Sequence, residues 1–351
     1  MRIFTLICLA IASASFVSAQ SPATPVPELL KDPRDMLAAA LPQYDFGGAT
    51  MKPLHVKGTY QLYDESGNAA QQGSYEYWRE SAKVYRSSWN RTDATRTEWH
   101  TIDGKTVYKA TGDRLFYFEH ELETLLFSPV PDPAKLDLAG VELKRGQLEM
   151  GKIKLPCAEI KARMRSNGTT PILPGMPTEN YCFDPSLPVL RVEHLFNSVY
   201  VEFNKLTKTQ NRILAQEITI TDGRHKLLVF DVGMTDLLPN ESAVLIPPAD
   251  ATPFAVEERP SSPSQGLLTK KVFPVYPPAA KGSHVSGVVI LDTMIGKDGR
   301  VKDIRVLETP SPLLTSASKD AVAQWQYAPF IVDGQPQEVN TIINVFFSLG
   351  Y

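Results

Sequence analysis

From Leu54 onward the chain alternates. Leu54, Val56, Tyr60 and Leu62 fall on one side of an extended segment, and His55, Lys57, Thr59 and Gln61 fall on the other. That period of two is what a half-buried strand requires. The same alternation predicts strands over 73–78, 83–89, 95–102, 105–110 and 114–118, with turns at Ser66-Gly67-Asn68, Asp103-Gly104 and Gly112-Asp113. Leu122, Leu125 and Leu126 then give helical spacing over 119–127. Strand patterns return over 141–150, 152–164, 179–183, 189–203, 213–221 and 226–232. Ahead of them, Leu29, Leu30, Met36, Leu37, Ala40 and Leu41 predict an amphipathic helix over 26–41, interrupted at Asp32-Pro33. A meander of about ten strands with few helices implies a strongly curved antiparallel sheet or half-barrel. Its concave side must be filled by helices or by a ligand.

The period changes again near the end. Pro239, Pro247, Pro248, Pro253, Pro260 and Pro263, with the polar run Ser261 to Gln265, predict a linker over 239–268. Beyond it, Val285–Leu291 and Ile295–Asp303 meet at an Asp298-Gly299 turn. Leu314, Ala317, Ala321, Val322 and Trp325 share one helical face between Pro312 and Ala328, and Val339–Leu349 reads as a last strand. The expected fold is therefore mostly β, with an antiparallel half-barrel over 51–238 and an α+β domain of ββαβ order over 269–351. Residues 20–50 form a helical lead-in.

Charge and cysteines narrow the function classes. Lys and Arg total 36 against 39 Asp and Glu, a net charge of −3 that gives no electrostatic reason to expect a nucleic-acid partner. Arg2, the apolar stretch Ile3 to Ala12 and the small residues Val17-Ser18-Ala19 form the pattern of a secretory signal peptide over 1–19, cleaved after Ala19. Cys8 leaves with it. Cys157 and Cys182 then remain in a chain sent to an oxidising compartment, each in an alternating segment, and are expected to pair as a disulfide worth roughly 3 kcal/mol. His55, His100, His120, His194, His225 and His284 share no metal-ligand spacing, and no nucleophile-elbow, phosphate-loop or dinucleotide fingerprint is present. The expectation is a protein without catalytic residues, metal or cofactor.

Dispersed marks over the last 80 or so residues carry a resemblance. They are Tyr276-Pro277, Ala280, Gly287 and Val289, Asp298-Gly299 with Val301, Ala321, Trp325-Gln326-Tyr327, Pro329, Gly334 and Pro336, then Val345 and Phe347. In that order they resemble the C-terminal domain of TonB-family energy transducers. The resemblance implies a bacterial periplasmic protein whose last strand accepts an extended segment of an outer-membrane receptor. The contact would fall on Thr341, Ile342, Ile343, Asn344, Val345, Phe346, Phe347 and Ser348. Two departures separate the chain from a full transducer: its N-terminus reads as cleaved, and a folded domain stands where a transducer has a Pro-, Glu- and Lys-rich spacer.

The run Gly73 to Trp78, then Lys83-Val84-Tyr85-Arg86, then Asp103-Gly104-Lys105, is similar to the start of the LolA and LolB lipoprotein-carrier barrels. That similarity implies a second reading, a carrier of lipid, lipoprotein or another apolar ligand. Its concave face would be lined by Tyr75, Tyr77, Trp78, Trp89, Trp99, Phe116 and Phe118. The alternative is that these aromatics are ordinary core.

Overall fold

The computed structural model describes residues 31–48, 51–64, 66–137, 140–162, 178–196, 198–237, 242–254, 268–332 and 334–349. The signal peptide expected over 1–19, the loop holding Asn167-Gly168 and Pro174-Gly175, and residues 255–267 of the expected linker lie outside the described residues.

Helix α1 spans Pro33–Tyr44. Asp32 caps it by accepting from the Arg34 N–H at 2.7 Å, and Pro33 supplies the fixed φ of a first helical turn. The Asp32-Pro33 pair therefore starts this helix, where the sequence pattern placed an interruption. Five strands follow as a meander: β1 (Leu54–Tyr63), β2 (Ala69–Arg79), β3 (Tyr85–Arg91), β4 (Ala94–His100) and β5 (Thr106–Gly112). Helix α2 then covers Tyr117–Phe127. The strand expected over 114–118 does not form, because Glu119 accepts from the Phe116 N–H at 2.6 Å and turns the chain into the helix.

A second meander carries β6 (Val141–Met150), β7 (Ile153–Ala162), β8 (Thr178–Phe183), β9 (Leu190–Leu195), β10 (Val199–Thr209), β11 (Arg212–Thr221) and β12 (Lys226–Leu237). The single strand expected over 189–203 is two, divided at Phe196, whose φ of 58° turns the backbone out of the extended region. Strand β12 returns to pair antiparallel with β1, so the two meanders join in one sheet. After a 3₁₀ turn (Ser242–Leu245), β13 (Thr252–Phe254) completes it by pairing with β5. The thirteen-stranded order is β13-β5-β4-β3-β2-β1-β12-β11-β10-β9-β8-β7-β6. Part of the expected linker is thus integral to the first domain: Trp99 donates to the Val244 carbonyl and Lys109 pairs with Asp250.

The concave face is filled by the chain itself. Met36, Leu37, Ala40 and Tyr44 of α1 and Phe118, Leu122, Leu125 and Leu126 of α2 are buried among Val56, Tyr75, Trp89, Phe203, Ile218 and Phe230 of the sheet. One buried charge cluster fastens α2. Glu119, wholly buried, accepts from Arg91 Nη1 and from the Tyr60 hydroxyl, each at 2.5 Å, while Trp89 donates to the Glu119 carbonyl. Cys157 and Cys182 stand directly opposite on β7 and β8 and are joined as a disulfide.

The second domain contains β14 (Leu268–Lys270), the short helix α3 (Pro278–Gly282), β15 (Gly287–Ile295), β16 (Val301–Glu308), α4 (Pro312–Val322), β17 (Gln326–Tyr327), β18 (Phe330–Val332), β19 (Gln335–Gln337) and β20 (Val339–Phe347). Its main sheet has the order β16-β15-β20, with β14–β17 and β18–β19 as separate two-stranded pairs. Helix α4 ends six residues before the expected Ala328, so Trp325 lies in the turn beyond it, buried, with its indole N–H on the Val272 carbonyl at 2.7 Å. Gly299 closes the β15–β16 turn at φ +78°, and a Cβ there would meet the Tyr327 carbonyl oxygen at 2.0 Å. Only glycine fits both demands.

Candidate partner-binding edge

The two larger sheets have four edges among the described residues. Strand β6 carries Glu142, Lys144, Arg145 and Glu149, and β13 has three residues with Pro253 at the centre. Strand β16 carries Lys302, Asp303, Arg305 and Glu308. Charge, proline and shortness are the devices that keep an edge from pairing with another chain. Strand β20 uses none of them. It reads Val-Asn-Thr-Ile-Ile-Asn-Val-Phe-Phe, nine residues without a charge, and pairs with β15 along its whole length. Among the described residues no strand pairs with its other side.

Both faces of β20 are in use. Ile343, Val345 and Phe347 are buried with Val289, Leu291, Leu314, Val322 and Trp325 in the core beneath α4. The Tyr276 ring meets Phe347 edge-on at 5.3 Å. On the opposite face, Val288, Ile290 and Leu307 belong to the core of the half-barrel, and Ile342 and Phe346 pack against it. The small sheet is therefore seated on the first domain. Of the residues expected at the contact, Thr341, Ile343, Val345 and Phe347 point to the helix side, Ile342, Asn344 and Phe346 to the half-barrel side, and Ser348 is exposed beyond the strand. The Thr341 hydroxyl and the Asn344 side-chain oxygen are buried without a hydrogen-bond partner.

A charge cluster fixes the seat. Arg114, from the turn after β5, reaches Asp292 of β15 and Asp303 of β16, each at 2.6 Å, and Arg305 pairs with Asp113 at 3.0 Å. Burial raises the Asp292 carboxyl above its usual value, and Arg114 offsets only part of that shift. Burial acts the same way on Asp303, but Arg114 and Arg305 together hold it below the ordinary range. Sequence reasoning missed this seat. The signal was available, because β15 and β20 are apolar at successive positions, as strands covered on both faces are.

The seven aromatics expected on one concave surface are divided. Tyr75, Tyr77 and Trp89 face inward, with Tyr75 packed between Trp89 and Phe230 and Tyr77 stacked on Phe127. Phe118 lies on α2 and is wholly buried, while Phe116 precedes that helix and packs against the same core. Trp78 and Trp99 stand on the outer face, with the Arg86 guanidinium over both rings at 4.4 and 5.5 Å. An open depression of ≈ 320 Å³ lies at the rim, lined by Lys83, Tyr85, His100, Ile102 and Lys105, and touches none of the seven. Among the described residues no His, Cys, Asp or Glu group is arranged to hold a metal ion.

Residues 273–349 match the family model described as the Gram-negative bacterial TonB protein C-terminal. The match is to the TonB C-terminal domain. The TonB-like domain also aligns with the solution structure of the Pseudomonas aeruginosa TonB C-terminal domain at 29% identity, over 24% of this chain and 86% of that one, with a TM-score of 0.22. The first domain aligns with a DUF1329 family protein from Desulfovibrio piger at 9% identity, covering 64% of this chain and 100% of that one, TM-score 0.38. A LolA superfamily protein from Nitrosomonas europaea aligns at 8% identity over 62% and 98% of the two chains, TM-score 0.33. No curated protein matches the chain. No helix among the described residues is long and apolar enough to cross a membrane.

Proposed function

We propose that this is a non-enzymatic periplasmic protein that binds an extended segment of a cell-envelope partner, such as an outer-membrane receptor, by adding it as a strand to β20. The observation that carries the reading is the uncharged β20 edge inside a segment that matches the TonB C-terminal family. Strand addition needs unpaired backbone N–H and C=O groups and alternating side-chain contacts, and alternate residues of an edge strand offer both. The test is amide hydrogen exchange on the full chain, titrated with extended peptides from the N-terminal plugs of receptors. Slowed exchange over 339–347 is the expected result. Unchanged exchange at saturating concentrations of every peptide overturns the proposal.

A carrier role is the second reading. It rests on the open half-barrel with Tyr75, Tyr77 and Trp89 on its inner face, and it requires α1 or α2 to move aside for the ligand. Lipid bound at one equivalent in the purified protein, read by mass spectrometry, is its expected sign.

A further inference from the structure

We infer that the turn from Asp113 to Phe116 is a latch shared by the two domains: lifting the TonB-like sheet off its seat frees the first turn of α2 and opens the inner face of the half-barrel to an apolar ligand. The opening step rests on the carrier reading, whereas the link between sheet and helix stands apart from it. Both domains take hold of the same carbonyl. Arg91 Nη2, from β3, donates to the Arg114 carbonyl at 3.3 Å, and Arg305 Nη1, from β16, donates to it at 3.4 Å. The Arg114 guanidinium meanwhile reaches the Asp292 carboxylate and carbonyl at 2.6 and 3.1 Å, and Asp303 at 2.6 Å. Arg91 also holds Glu119 in the first turn of α2, and Glu119 accepts from the Phe116 N–H. An unbroken run of polar contacts thus leads from β15 and β16, through this turn, to the start of the helix.

Such a run couples two places only where an element along it has two states, and α2 is that element. It has 11 residues, fewer than the roughly 12–15 at which an isolated helix becomes marginally stable in water. Phe116 at its N-cap has no side-chain oxygen to cap the free N–H groups. The helix therefore depends on anchors from outside itself. Val288, Ile290 and Leu307 of the TonB-like sheet lie in the same apolar cluster as Leu115 and Phe118, so lifting the sheet removes packing and polar anchors from one end of α2 together. By linkage, a ligand that displaces α2 weakens the seat by the same factor.

Arg114→Met in the full chain tests the latch with three readouts: hydroxyl-radical footprinting of Phe346 for the seat, amide hydrogen exchange over 117–122 for the helix, and titration with the fluorescent apolar probe N-phenyl-1-naphthylamine. Phe346 is expected to become reactive and exchange over 117–122 to rise about tenfold or more, while β10 and β11 keep their wild-type protection. Probe affinity should rise by the same factor, because only the open state binds. Lys302→Met, which removes the exposed pair with Glu338 from the same strand β16, should change none of the three. If Arg114→Met does not fold, Arg305→Met withdraws one donor from the shared carbonyl and should give the same pattern at about threefold. A seat that opens with α2 still protected overturns the latch, and so does a helix that loosens with Phe346 still shielded. A folded variant in which nothing changes overturns it as well. Seat and helix loosening together without probe binding upholds the latch and removes the carrier reading on which its opening step rests.

Discussion

The large sheet and the small one close in opposite ways. The half-barrel folds its own helices into its concavity and ends in strands that repel a neighbour, with four charged side chains on β6 and a proline in the three-residue β13. The TonB-like sheet is only three strands wide, is covered on both faces, and ends on one side in nine uncharged residues. A long apolar edge is an aggregation hazard unless something uses it. The contrast teaches that, among the described residues, the uncharged strand edge lies on β20, and that the first domain carries the sheet it belongs to.

Arg91→Ala gives the largest expected change. It leaves Glu119 buried without its cation and unfastens α2 from the large sheet, at a cost of about 3–5 kcal/mol. Urea denaturation monitored by tryptophan fluorescence measures it. If the small sheet depends on the platform, its amide protection falls too; if it keeps full protection, the two sheets are independent and the contrast drawn above is too weak.

Leu307→Asp attacks the seat instead. A carboxylate in the shared core costs about 3 kcal/mol and should split one calorimetric transition into two, with the TonB-like domain melting first. Replacing Cys157 and Cys182 together by serine removes the staple beside the β6 edge. The expected loss is about 3 kcal/mol, with peptide binding at β20 unchanged.

The smallest effect concerns the inner face of the half-barrel. Burial raises the Glu193 carboxyl well above its usual 4.5, and Glu179 and Glu121 add to the shift by repulsion. A carboxyl raised in the folded state binds its proton more tightly there than in the unfolded chain. Its contribution is therefore fully favourable below 4.5 and is lost as pH rises toward the folded value. Glu193→Gln should raise Tm by about 2 °C or more at pH 8 and by nothing measurable at pH 4, and a pH series of thermal melts checks both ends.

Much of this architecture is legible in alternation alone. The meander, the disulfide partners and the ββαβ order follow from local period and turn residues, which depend on neighbours a few positions away. The failures share a cause. Glu119 turns 114–118 away from a strand because Arg91 and Tyr60 hold it from distant strands, and Phe196 breaks 189–203 in a conformation its side chain does not announce. The candidate contact at 341–348 was placed by family resemblance. That β20 is an edge among the described residues, and that its second face rests on the half-barrel, depend on strand order and on which domain covers which face. Among the described strands of six or more residues β20 alone carries no charged side chain, a contrast that is readable in the sequence.

The antiparallel register of β15 and β20 has a mechanical meaning. Their hydrogen bonds lie across the strands, so tension applied along β20 loads the nine residue pairs from Gly287–Phe347 to Ile295–Val339 together, in shear. Tension applied across the strand would open them one after another. A partner lying alongside β20 and drawn along its own axis would meet the stronger of these two resistances. The Arg114 cluster would then pass that load to the half-barrel instead of leaving it on a free tether.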